Sequence, residues 1–195
     1  MRKFYKYIKN NLASIIALTF SALTLYIYVR QTNILAEQTR ASLWPYVQIS
    51  CGMGIEETFL KTFYISVSNS GTGPAIIEHV VVKINGIEVE NWDDFFKKVS
   101  PPFEILFGIS INSLRDRVIM PGQNFKFIEF SNNFELLNYL HPEHFNNMEI
   151  AICYKSVYNE HWTVSFKGLG GDEPVIERHN KSKKCTLNAT TYFMN

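Results

Sequence analysis

The sequence predicts a mainly β protein, in which an N-terminal transmembrane α-helix is followed by one antiparallel β-sandwich with short helical insertions. Three observations carry this. Residues 12–29, LASIIALTFSALTLYIYV, hold no charged side chain. From Tyr46 onward apolar residues recur with a period of two, which puts alternate side chains on one face of a strand. Turn-forming clusters punctuate those runs, notably Asn69-Ser70-Gly71-Thr72-Gly73-Pro74, Asn85-Gly86 and Pro121-Gly122.

The apolar run comes first in the chain. At ~1.5 Å of rise per residue it makes a helix of ~27 Å, near the thickness of a bilayer's hydrocarbon core. Arg2, Lys3, Lys6 and Lys9 precede it and Arg30 closes it. A cleaved signal sequence shares the basic start, but it has a shorter apolar run and a small-x-small cleavage site. Here the run ends in the bulky Tyr26-Ile27-Tyr28-Val29, and no such site occurs within the next few residues, so an uncleaved anchor is expected. The alternative of a buried core helix would need a large body around a surface apolar on all sides. Tyr5, Tyr7, Tyr26, Tyr28 and Trp44 flank the run, as rings that favour the headgroup layer do. Beyond the run only Arg30 and Arg40 precede Trp44. That cation bias places the N-terminus in the cytoplasm and the body outside. Ala13, Ala17 and Ser21 recur at spacing four, a small-residue face that lets two membrane helices approach closely. It is the candidate face for self-association through the membrane helix, set against the reading that Ala and Ser are simply common in such helices.

Composition bounds the rest. The chain has 195 residues, and the part behind the anchor suffices for one domain with its own core. A net charge of +1, from 19 basic and 18 acidic residues, leaves no large electrostatic footprint for nucleic acid. Hydrophobic residues at 46% mark a folded chain rather than a disordered one. Cys51, Cys153 and Cys185 form no CxxC pair, so no zinc or thioredoxin motif arises. Cys51 and Cys153 lie in strand-like stretches and read as apolar packing, which counts against an oxidising compartment. A bridge between them stays open, because spacing does not decide it.

The chain divides into four segments: 1–29, the basic flank and transmembrane helix; 30–44, a helical stalk; 45–167, the β-sandwich; and 168–195, a C-terminal tail. The stalk, QTNILAEQTRASL, has no helix breaker until Trp44-Pro45. Residues 46–51 form a candidate strand. Phe63, Ile65 and Val67 alternate with polar neighbours as a half-buried strand does. Ile76, Val80, Val82 and Ile84 share one face, with Glu78 the exception, and His79 and Lys83 take the other. Asn85-Gly86 then signals a hairpin into Ile87 and Val89. Residues 92–99, WDDFFKKV, read as a short helix whose Asp93 and Asp94 meet the free N–H groups of its first turn. Residues 124–130 form a strand, 133–139 a short helix, and 148–154 a strand with Ile150, Ile152 and Tyr154 together. Trp162, Val164 and Phe166 mark the last clear strand.

The combination of Trp44-Pro45-Tyr46, the 67–75 stretch VSNSGTGPA, Met120-Pro121-Gly122-Gln123 and Tyr154-Lys155-Ser156-Val157-Tyr158 ahead of Trp162 resembles bacterial single-span membrane proteins. These carry one immunoglobulin-like β-sandwich behind an N-terminal helix. The resemblance covers the chain to about Phe166. It implies a single-pass protein of the bacterial inner membrane with an antiparallel immunoglobulin-like sandwich. Some proteins of that architecture resemble anti-phage effectors, which makes the membrane-acting arm of a defence system one expected role.

Chemistry is sparse. His141-Pro142-Glu143-His144 has ligand types, but Pro142 disfavours the helix that would align them, so a polar loop is expected. Gly168-Leu169-Gly170-Gly171-Asp172 lacks the Gly-Lys-Ser/Thr of a phosphate loop. Lys181, Lys183 and Lys184 read as a solvated basic tail. No G-x-S-x-G or H-E-x-x-H occurs. The expectation is a non-enzymatic, membrane-anchored interaction or effector protein with no cofactor, no metal and no catalytic residue. Its partners are the lipid bilayer and either a protein or a second copy of itself. The alternative is an envelope accessory protein whose sandwich binds a periplasmic or cell-surface partner. Asn69, Gly71, Gly73, Tyr154, Tyr158 and Trp162 are the candidate partner surface.

Overall fold

The computed structural model describes residues 2–56, 59–99, 108–131, 148–168, 177–182, 184, 185, 187, 193 and 194. The chain divides into two compact units, Met1–Ser42 and Leu43–Asn195.

The first unit is one helix, α1 (Arg2–Ser42), so the polar stalk continues the apolar run without a break. Residues 11–42 are long and apolar enough to cross a membrane, and none of the apolar window is buried inside the chain, which rejects the buried core helix. Its hydroxyls bond within the helix. Ser21 donates to the Ala17 carbonyl at 2.9 Å and Thr24 to that of Phe20 at 2.8 Å. Such back-bonding satisfies these two hydroxyl donors without water. The helix stops at Ser42, two residues before Trp44-Pro45.

The second unit is mainly antiparallel β. Its strands are β1 (Val47–Glu56), β2 (Phe59–Asn69), β3 (Ala75–Ile84), β4 (Ile87–Val89), β5 (Ile109–Ile111), β6 (Val118–Ile119), β7 (Asn124–Ser131), β8 (Met148–Lys155), β9 (His161–Lys167) and β10 (Glu177–Ser182). The helix α2 (Trp92–Val99) follows β4. One sheet runs β1-β2-β7-β5; the other runs β10-β9-β8-β3-β4, with β6 paired to β3. Both sheets feed one core. Ile49, Phe63, Ile65, Val67 and Phe130 come from the first, and Val82, Ile150, Ile152, Val164 and Phe166 from the second. The period-two runs therefore face inward as the sequence predicts. The Asn85-Gly86 hairpin also forms, with φ of 51° and 78° at its two turn residues.

Three features differ from the sequence reading. The first is the phase of β3. Ala75 and Ile77 are buried while Ile76 is only half-buried, because the register of β3 on β8 shifts between Ile77 and His79. Glu78 is the extra residue, and the bulge explains why it interrupts the apolar face. The second is the cysteine pairing. Cys153 bonds to Cys185, and Cys51 is free. Cys51 shares the inward face of β1 with Val47 and Ile49, whereas Cys153 lies out of phase with the inward Ile152 and Tyr154. Cys51 and Cys153 therefore stand on different sides of a sheet. The third is the C-terminal segment. It adds β10 to the edge of β9, and Phe193 joins the core. The expected helix at 133–139, the loop at 141–144, Lys183 and residues 169–172 of the glycine-rich stretch lie outside the described residues.

Candidate functional site at the proximal end

The proximal end of the β unit is the one at which the chain arrives from residue 43. It is assembled around Asn69, the last residue of β2. The Asn69 side-chain carbonyl oxygen accepts from the backbone N–H groups of Tyr46 and Gly71, each at 3.0 Å. Its amide nitrogen donates to the carbonyls of Gly73 at 2.8 Å and Ile119 at 2.9 Å. The Asn69 main chain adds bonds to Gln123 and Gly122, at 3.1 and 2.8 Å. One buried side chain thus ties the incoming chain, the 69–74 loop and the 119–123 turn together. The glycines permit this closeness. A Cβ on Gly71 would collide with the Trp44 carbonyl and the Tyr46 nitrogen, and one on Gly73 with the Leu43 backbone.

The β8–β9 hairpin lies at the same end. Ser156 donates its N–H to the Glu160 carbonyl at 2.9 Å and accepts at Oγ from the Tyr158 N–H at 3.1 Å. Asn159 takes the left-handed conformation at φ 60° that closes the turn. Below it Tyr154 and Trp162 stack with ring centroids 5.8 Å apart. The Tyr154 hydroxyl faces the Val47 N–H at 3.5 Å, and burial pushes that hydroxyl up to about 12 despite this bond.

The predicted partner surface therefore separates into two groups. Asn69, Gly73 and Tyr154 are buried and act inside the domain; Gly71 is half-buried against the incoming backbone. They present no side chain to a partner because turn closure and core packing have used them. Tyr158 is exposed and Trp162 half-buried, so these two remain at the surface. The structure adds neighbours that sequence reasoning misses. Trp44, Val118, Met120 and Val157 are exposed at 45, 47, 56 and 52% on three segments that Asn69 and the hairpin gather. The available signal is bulky apolar residues beside turn formers, as in Met120-Pro121-Gly122 and Ser156-Val157-Tyr158-Asn159.

Beside this surface the bulged Glu78 reaches across β8 to β9. Its two carboxylate oxygens meet Lys155 Nζ at 2.7 Å and His161 Nε2 at 3.1 Å. His161 is buried, and its Nδ1 has no hydrogen-bond partner among the described residues. The cluster is not legible in the sequence, because only the bulge turns Glu78 towards β9.

An open cleft of about 740 Å³ lies at the other end of the domain, lined among others by Glu88, Asp93, Asp94, Lys97 and Lys98. Two of its acids are ion-paired. Lys98 meets Asp94 at 2.8 Å and Lys83 meets Glu88 at 3.4 Å. Lys98, together with the Glu90 N–H, holds the Asp94 carboxyl below its ordinary range. Asn91 accepts from the Asp94 N–H at 2.8 Å, so this cleft is the N-cap of α2. On α1, Ala13, Ala17 and Ser21 are exposed.

A search of curated proteins finds no match. A family model described as a domain of unknown function, DUF8453, matches residues 9–192. The match spans the apolar helix and both sheets together, so the chain belongs to that family.

Proposed function

We propose that this chain is a non-enzymatic, membrane-anchored binding protein whose β unit works on the outer side of the inner membrane. There it would hold an envelope partner against Trp44, Met120, Val157 and Tyr158. The observation that carries the reading is the Cys153–Cys185 bond, since disulfides persist in oxidising compartments. The cation excess before the apolar helix supports the same side. Strand order supports an immunoglobulin-like assignment. The sheet β1-β2-β7-β5 corresponds to A-B-E-D, and β9-β8-β3-β4 to G-F-C-C′. The membrane-acting defence effector would have to meet a trigger made inside the cell, and both the bond and the cation bias argue for the other side.

Cysteine trapping in intact cells tests the placement. Cells are acid-quenched and alkylated with a bulky maleimide, with and without prior reduction. One reactive thiol before reduction and three after is the expected pattern. Three before reduction would overturn the outward placement. A photo-crosslinking residue at Tyr158 tests the surface against the same residue at Asp93 in the far cleft. Adducts from position 158 alone support the reading, and adducts from position 93 alone contradict it.

A further inference from the structure

Strand alternation sends His79, Val81, Ala151, Cys153, Thr163 and Ser165 to the side of the larger sheet that points away from the core. Such a face of an antiparallel sheet is ordinarily wet. Here Val81 is 3% exposed, Cys153 0% and Ser165 7%. The C-terminal segment is pinned across the same sheet at three places in chain order. β10 pairs with β9. Cys185 bonds to Cys153 on β8, with Cα atoms 5.9 Å apart. Phe193 donates its N–H to the Val80 carbonyl of β3 at 2.8 Å, and Met194 donates to Glu90 at 2.6 Å. The Phe193 bond falls on the stretch of the β3 edge that neither β4 nor β6 occupies, and the Met194 bond falls just past the end of β4. The Phe193 ring then enters the core, 5.0 Å from Trp92 and 5.7 Å from Phe127.

We propose that this segment is a redox-set clasp: exchange of the Cys153–Cys185 bond with a dithiol frees Cys185 from β8, loosens the Phe193 and Met194 bonds and opens the Phe193 slot. Of the three pins the disulfide is the only covalent one. The pairing of β10 is interrupted between His179 and Ser182, and Phe193 and Met194 hold by two backbone bonds and one ring. Attack falls on Cys185, which is half-exposed, and not on the fully buried Cys153. A thiolate of the dithiol bonds to the Cys185 sulfur, the S–S bond breaks, and Cys153 leaves as a thiolate and takes a proton from water. The second thiol of the dithiol loses its proton, attacks the mixed disulfide and releases Cys185, which is protonated in turn. Two electrons and two protons pass to the cystine, and the dithiol becomes a disulfide. The clasp stands whichever partner the domain takes.

Hydrogen exchange on the full chain in lipid nanodiscs tests it, oxidised against dithiothreitol-reduced, with thiol counts confirming each state. Reduction is expected to speed exchange about tenfold more in peptides spanning 177–194 and along β3 and β8 at 79–81 and 151–153 than in β2 and β7. The Cys185→Ser chain should exchange like the reduced protein without reductant and show no further change with it. Unchanged exchange across 177–194 in a fully reduced chain would overturn the clasp, as would uniform loss of protection over both sheets. Brief exposure to glutathione gives the order of attack. A mixed disulfide on Cys185 supports it, and one on Cys153 overturns it.

Discussion

Asn69 binds the backbone N–H of Tyr46 at 3.0 Å through its side-chain carbonyl, and so fixes where the chain enters the β unit. The same side chain spends its remaining bonds on Gly71, Gly73 and Ile119. The loop that carries it therefore serves as a joint between the incoming chain and the 119–123 turn.

Replacing Asn69 by Ala leaves two part-buried N–H groups and two buried carbonyls without that partner. The expected loss is ~3–5 kcal/mol, the cost of several orphaned buried groups. Asn69→Asp keeps the acceptor but sets a carboxylate oxygen against the Gly73 and Ile119 carbonyls, so it should rescue little. Denaturant unfolding followed by tryptophan fluorescence checks both. A loss under ~1 kcal/mol for Asn69→Ala would mean that the joint is held elsewhere.

Gly73→Ala places a methyl group in the Leu43 backbone, which cannot yield as a side-chain tip can. A loss of ~2–4 kcal/mol is expected, in the range of overpacked sites. Gly86→Ala is the contrast: a Cβ there meets nothing within 4 Å, and only its φ of +78° opposes the change. It should cost ~1 kcal/mol. Equal losses at the two positions would contradict this assignment.

The Cys153–Cys185 bond closes a loop with a sequence separation of 32. Chain-entropy arguments for a loop of that size give ~3–4 kcal/mol. Cys185→Ser should lower the midpoint of thermal unfolding by about 10 °C for a domain of this size. Cys51→Ser should not reproduce that change, because Cys51 takes no part in the bond.

Alkaline pH should destabilise the β unit. Burial raises the Tyr154 hydroxyl from 10.0 to about 12, and the Cys51 thiol from 9.0 to about 12. Both groups are neutral when protonated, so the unfolded chain loses these protons first as pH rises. Stability is intact below about pH 9, then falls through the window from about 9 to about 12. Tyr154→Phe should flatten the part above about pH 10. For the same reason native Cys51 should react with iodoacetamide at about pH 8 at least ~100-fold more slowly than the unfolded thiol. Equal rates would contradict its burial.

Much of this fold is readable in local pattern. The charge-free run 12–29 lies in a helix because nothing in it or its stalk breaks one before Trp44-Pro45. The alternation of Phe63, Ile65 and Val67 and the Asn85-Gly86 turn are likewise properties of neighbours in sequence. The phase of β3 at Ile76 is not readable in that way, because a bulge is set by how a strand meets its partner. The polar residues of the 69–74 loop look free to bind, because sequence shows turn chemistry but not which other segments the turn draws in.

A long apolar helix and, behind it, a β unit punctuated by turns follow from the residues alone, since these rest on side-chain period and on backbone preferences a few residues long. Only the tertiary structure decided that Cys153 meets Cys185 and that Phe193 closes the edge of β3. It alone also decided that Glu78 reaches His161, and that Trp44, Met120, Val157 and Tyr158 come together at one end. Each of those contacts joins strands or loops far apart in the chain, and strand order and register, rather than any local propensity, set which residues become neighbours.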